Sequence, residues 1–152
     1  MRKFLVVMDD APEVANALRF AGFRAAKTAG AVEVLAIIEP EEFQHWIGVG
    51  DIMRAEAREA IETRFAEMAA QMTADAGITP TLVIREGEKA KEVLEHIAAD
   101  REIGVLVLGA GTQGDGPGPL VSQLAGRMAG DMPVPVTVVP GSMTRDQLAA
   151  VC

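Results

Sequence analysis

The chain has no tyrosine, one tryptophan and five phenylalanines in 152 residues. So few aromatic rings argue against a stacking platform for bases or sugars. It has a single cysteine, Cys152, which excludes an intramolecular disulfide and a cysteine-based zinc site. Its two histidines, His45 and His96, fall short of a metal triad and argue against a Ser-His-Asp set. No apolar run exceeds the length of a strand, so the pattern contains no membrane span. The five apolar residues that follow Met1-Arg2-Lys3 are too few for a secretory signal. Cations are scarce relative to acids, 14 Lys and Arg against 22 Asp and Glu, for a net charge of −8. Such a surface repels nucleic acid and anionic lipid, and no basic stripe contradicts the sum. Together these absences predict a cytoplasmic protein in a reducing compartment, with neither nucleic acid nor membrane as a partner.

What is present is an alternation. A chain of this length makes one domain and buries roughly 70% of the surface its unfolded form exposes. Phe4 to Met8 is a continuous apolar run, suited to a strand buried on both faces. Asp10 with Glu13 reads as a capping box, followed by Val14, Ala17, Leu18, Ala21 and Ala25 at helical spacing, with Gly30 as the stop. Val32 to Ile38 reads as a second strand. Residues 40–52 are irregular and include Phe43, His45 and Trp46. A long helix follows, with Ala57, Ile61, Phe65, Met68 and Met72 on one face and Gly77 as its end. Leu82 to Ile84, a helix with Ala90, Val93, Leu94 and Ile97, and Val105 to Leu108 continue the series. A loop from Gly109 to Pro119 leads into a helix with Val121, Leu124, Ala125 and Met128. Val134 to Val139 is the last strand, and Thr144 with Gln147 caps a short closing helix. Strands alternating with helices imply an α/β domain with a doubly wound parallel sheet and helices on both faces.

Ligands of such sheets bind beyond the carboxyl ends of the strands. That directs attention to Asp9-Asp10, Ile37 to Glu39, Arg85 to Gly87 and the glycine-rich loop. The loop has two readings: a backbone nest for phosphate or a long flexible connection. It is not a P-loop, because no Gly-Lys-Ser or Gly-Lys-Thr follows. It carries no cation, and Asp115 adds a negative charge. Asp9-Asp10 could hold Mg²⁺ as in a phosphate-receiver domain, but Arg85-Glu86-Gly87 and Pro140-Gly141-Ser142 replace the further groups that chemistry needs. Asp10 is therefore read as a helix cap and Asp9 as pointing into the crevice. His96, among Glu92, Glu95 and Asp100, reads as solvated. Ser122 and Ser142 have no base near them in sequence. The eight methionines read as core filler.

Several segments in order resemble the universal stress protein (UspA-like) family over about residues 3–140. Leu5-Val6-Val7-Met8-Asp9 resembles its first strand, and Ala17-Leu18-Arg19-Phe20-Ala21 its first helix. Leu35 to Pro40 and Val105 to Gly109 resemble the second and fourth strands. Pro133 to Pro140 resembles the closing strand. The resemblance implies a five-stranded, Rossmann-like sheet of order 3-2-1-4-5, of the adenine nucleotide alpha hydrolase-like type. It implies a domain over residues 1–140 and a tail over 141–152 with a short helix. It also implies a homodimer through the last strand, at Val134, Val136 and Val138, whose uncharged edge is a template for pairing.

Many members of that family bind ATP through Gly-x2-Gly-x9-Gly-Ser/Thr. Counting back from Pro135 places Gly109, Thr112, Ser122 and Gln123 on those four positions, and only Gly109 matches. Starting at Gly111 recovers Gly114 but then meets Leu124-Ala125. Side chains at the second and third positions intrude where backbone should approach phosphate. Asp9 stands where the family meets the nucleoside, and Ile37 and Leu108 where it flanks adenine. The expectation is a cytoplasmic homodimer that acts through regulation or contact with a protein partner not identified by the sequence. Its ATP binding is expected to be weak or absent, with Mg²⁺ only where ATP binds, and no catalytic residue is assigned. The alternative is an ATP-binding sensor or ATP-hydrolysing enzyme of the same fold.

Overall fold

The structure is a computed structural model that describes residues 1–40, 50–114 and 116–152. The stretch with Phe43, His45 and Trp46, and Asp115 of the glycine-rich loop, lie outside the described residues.

Five strands form one parallel sheet of order β3-β2-β1-β4-β5. They are β1 (Lys3–Met8), β2 (Ala31–Ile38), β3 (Thr81–Glu86), β4 (Ile103–Ala110) and β5 (Val136–Pro140). The helices are α1 (Val14–Thr28), α2 (Gly50–Ala76), α3 (Lys89–Ala99) and α4 (Arg145–Val151), with a π-helical segment over Val121–Arg127. The expected fold class and strand order are therefore observed.

Alternate residues of β1 supply two cores. Val6 and Met8 face α1 and α2 together with Ala17, Leu18 and Met72. Leu5 and Val7 face α3 together with Val93, Ile97 and Leu124. This is why the apolar run of β1 is unbroken: both faces lie under helices. Leu148 of α4 is fully buried in the first core, so the closing helix shares it. Its capping box is present, with the Thr144 hydroxyl accepting from Gln147 N and the Gln147 side chain accepting from Thr144 N.

Four local expectations are revised. Asp10 does not cap α1. Its neighbour Asp9 takes the local backbone donor, Ala11 N–H to Oδ1 at 2.8 Å, and leaves Asp10 exposed. Gly30 does not take the left-handed position after α1, which falls on Ala29 at φ 54°. Gly30 instead allows a close approach, since a Cβ there would lie 3.0 Å from the Arg2 carbonyl oxygen. The helix expected after the glycine-rich loop is wound more widely, with Met128 N–H donating to the Gln123 carbonyl five residues back. The last strand begins at Val136 rather than Val134, because Pro135 has no N–H to donate to the ladder. Gly77 does end α2, with a φ of 70°.

Candidate functional site

β1 and β2 end side by side, and the chain then diverges: after β1 into α1, on one face of the sheet, and after β3 into α3, on the other. β4 follows on the far side of β1, so the β1–β4 pair is where the connections part. This is the switch point at which doubly wound sheets open a crevice. Asp9 stands at its centre and lines two cavities.

The larger, about 260 Å³, lies over the ends of β1 and β2 and is lined by Asp9, Ile37, Glu39, Ile61, Arg64 and Lys89 among others. Arg64 reaches it from α2. Its guanidinium donates to the Ala11 carbonyl at 3.0 Å and lies 3.5 Å from an oxygen of Asp10. The smaller, about 80 Å³, lies between β1 and β4 and is lined by Asp9, Glu13, Leu108, Gly109 and Pro117 to Val121 among others. Here the N-terminal turn of α1 presses on the strand. A Cβ at Gly109 would stand 2.5 Å from the Glu13 carbonyl oxygen, and one at Gly111 would stand 3.2 Å from Glu13 Oε1. The Glu13 carboxylate thus lies against the start of the glycine-rich loop. No cation lines this smaller cavity among the described residues.

The structure brings Asp9, Leu108 and Gly109 to one cavity and Asp9 with Ile37 to the other. Thr112, Ser122 and Gln123 line neither. Thr112 is exposed beside Gly141, whose Cβ would meet its Cγ2 at 3.3 Å. Ser122 is exposed in the π-helical segment, its N–H donating to the Gly118 carbonyl at 3.0 Å. Gln123 is half-buried in the same segment. Gly114, Gly116 and Gly118 all adopt positive φ, 70°, 100° and 110°, so the loop is shaped by glycine at positions other than those of the family spacing.

Sequence reasoning missed Glu13, Arg64 and Lys89 as crevice residues. In the sequence Glu13 reads as half of a capping box. Arg64 lies in a long helix rich in exposed charge, and nothing in that pattern singles it out. Lys89 opens α3 just after Gly87, beyond the Arg85 to Gly87 segment that the sheet order singles out.

His96 is a further correction. Its Nε2 meets Glu33 Oε1, and its side chain is 12% exposed, so it is not solvated. The signal was Glu33 itself, a carboxylate inside an otherwise apolar strand. Among the described residues no group of three or more His, Cys, Asp or Glu is placed to hold a metal ion. No described helix is long and apolar enough to cross a membrane.

Comparison with known proteins agrees with the fold. Among curated proteins none matches the chain. Solved structures share its fold over nearly the whole length at low identity. A universal stress protein UspA from Lactobacillus plantarum aligns at 19% identity and a TM-score of 0.66, covering 91% of this chain and 97% of that one. One from Burkholderia pseudomallei aligns at 21% and 0.68, covering 91% and 95%. A universal stress protein in complex with cAMP aligns at 14% and 0.64, covering 93% and 98%. The model of the universal stress protein family matches residues 1–140, and on that match the chain belongs to this family.

Proposed function

We propose that the chain is a cytoplasmic, homodimeric regulatory protein of universal-stress type whose crevice takes an adenine nucleoside or its monophosphate and binds ATP weakly or not at all. The observation that carries this is the asymmetry of the crevice. Its base-side cavity, about 260 Å³, borders Asp9, Ile37 and two cations. Its loop-side cavity is about 80 Å³ and faces the carboxylates of Asp9 and Glu13. A carboxylate beside the nest repels phosphate, and backbone dipoles alone must then hold three of them. The residues present do not fit a triphosphate. The cAMP complex of a structural neighbour supports an adenine ligand of low charge for this fold.

Calorimetric unfolding with adenosine, AMP, cAMP and ATP tests the reading. A ligand at a hundred times its dissociation constant adds about 2.7 kcal/mol. Adenosine, AMP or cAMP at millimolar concentration should raise the unfolding temperature, and ATP with Mg²⁺ should not. A shift with ATP alone, or release of phosphate from ATP, would favour the nucleotide-hydrolysing alternative. In Glu13→Gln the ATP shift should appear while the adenosine shift stays.

A further inference from the structure

At the opposite end of the sheet, below the starts of β1, β4 and β5, an open groove of about 960 Å³ runs beside the C-terminal half of α1. Its floor is apolar, with Phe4, Phe20, Val105 and Val134 half-buried along it. The pairing of β1 with β4 slips one residue at Gly104, and the Arg2 side chain lies over that glycine, 3.4 Å from where a Cβ would stand. Arg2 Nη1 donates to the Arg101 carbonyl at 2.8 Å, and Arg24 Nη1 donates to the Cys152 carbonyl oxygen at 3.1 Å.

The distribution of cations singles this end out. Among the described residues seven Lys and Arg side chains have an Asp or Glu carboxylate within 4.0 Å: Lys3, Arg19, Arg54, Arg64, Arg85, Lys91 and Arg145. Of those without one, Arg2, Arg24 and Arg101 line the groove, and Lys27 stands one turn beyond Arg24. Asp100, the acid lining the groove, is occupied by Lys3 at 2.7 Å. Arg24 is held by the oxygen of Cys152, so a chain of net charge −8 keeps two guanidinium groups, Arg2 and Arg101, without a carboxylate partner beside an apolar trough.

We infer that this groove docks an extended acidic segment of another protein, with its carboxylates on Arg2 and Arg101 and its apolar side chains on the floor beside them. Charge complementarity selects that occupant. A second copy docking here about a twofold axis would set the same cations against themselves. A bilayer is flat and cannot reach a recessed floor, and the net charge repels an anionic one. The inference does not depend on the ligand of the crevice.

The test is selection of displayed random dodecapeptides on the immobilised full chain, then fluorescence anisotropy of the recovered peptides. The recovered peptides should be rich in Asp and Glu interspersed with Leu, Ile or Phe, and should weaken as salt is raised. The double variant Arg2→Glu with Arg101→Glu should lose about tenfold in affinity or more. Arg58→Glu, an exposed cation of α2 remote from the groove, should change it by less than about twofold at the same ionic strength. Circular dichroism confirms that each variant is folded. Recovery of no peptide, recovery without acidic enrichment, or equal loss in Arg58→Glu overturns the inference. A fall in mass of the double variant by light scattering would assign the groove to a second copy. Sedimentation with phosphatidylserine vesicles, lost in the double variant, would assign it to lipid. Either result also overturns the inference.

Discussion

Ala29 closes α1 in the left-handed region, at φ 54° and ψ 35°, the one non-glycine residue with positive φ among the described residues. A Cβ in that conformation costs about 1–2 kcal/mol, and glycine removes the cost while giving some of it back as unfolded-chain entropy. Ala29→Gly should therefore stabilise the fold by about 1 kcal/mol, read as a higher urea midpoint with an unchanged slope. At this scale the sequence was legible where a residue type has one use. Gly77 reads as the end of the long helix and has positive φ. It was illegible where the neighbour decides. Gly30 reads as the stop of α1, but the need for glycine there is steric, set by Arg2 and Phe4 at the start of the sheet. Glu13 looked like the partner of a capping box, but its carboxylate lies against the glycine-rich loop because α1 begins at Val14, three residues beyond the start an Asp10 cap would set.

Among elements, α3 is bound to the sheet by a polar network as well as by its apolar face. Glu33 is the one charged residue buried as a whole, backbone included, among the described residues. It meets His96 of α3 and Lys3 of β1 at 3.3 Å, while Lys3 also reaches Asp100 at 2.7 Å. Glu33→Ala should cost about 3 kcal/mol, because it leaves Lys3 and His96 short of a partner in a partly desolvated site. The pH profile follows from two shifts. The hydrogen bond from Lys3, then that from the Glu102 backbone, holds the Asp100 carboxyl below its ordinary value. Its contribution is whole above the unfolded pKa of about 3.9 and is lost as pH falls through the lower folded value. The hydrogen bond to Asp100, opposed by burial, raises Lys3 above its ordinary value. That contribution is whole below about 10.4 and is lost as pH rises through the folded value. Lys3→Met should flatten both limbs of stability against pH. The elements themselves were legible from periodicity, because β1 and β4 read as apolar runs and β2 is interrupted only by Glu33. The widened turn at Val121–Arg127 was not, because Val121, Leu124, Ala125 and Met128 also satisfy the α-helical spacing.

For the whole molecule, the two edges of the sheet differ. β3 ends in Arg85 and Glu86, and Arg85 is engaged by Glu92 at 2.9 Å, so that edge carries charge. β5 reads Val136-Thr137-Val138-Val139-Pro140 with Val138 37% exposed, and carries none. An uncharged edge is a pairing template, and the proposed dimer closes it about a twofold axis. Val134, which precedes the strand, is half-buried against the α3-side core and also lines the groove at the foot of the sheet. Light scattering at micromolar concentration should give twice the chain mass, and Val138→Lys, which sets two ammonium groups near the axis, should halve it. A single-chain mass for the unaltered protein would remove the dimer from the proposal. The fold was legible as a whole because alternating strands and helices allow few topologies. The crevice was legible only in part: the sheet order locates Asp9, Ile37, Leu108 and Gly109, but Arg64 and Lys89 arrive from helices whose sequence carries no mark of it.

The position of β1 in the middle of the sheet also fixes an order of events. Lys3 pairs with Ala31 on one side and with Ile103 on the other, a closure more than three times as long, which costs about 1 kcal/mol more in chain entropy. On loop-closure cost alone the β1–α1–β2 unit is expected to form first, with β4, β5 and α4 joining it later. The late half should also be the first to open. Amide protons of Val136 to Val139 should exchange with solvent through a lower-energy opening than those of Val34 to Ala36, leaving the Asp9 end of β1 protected while the β5 edge is still breathing.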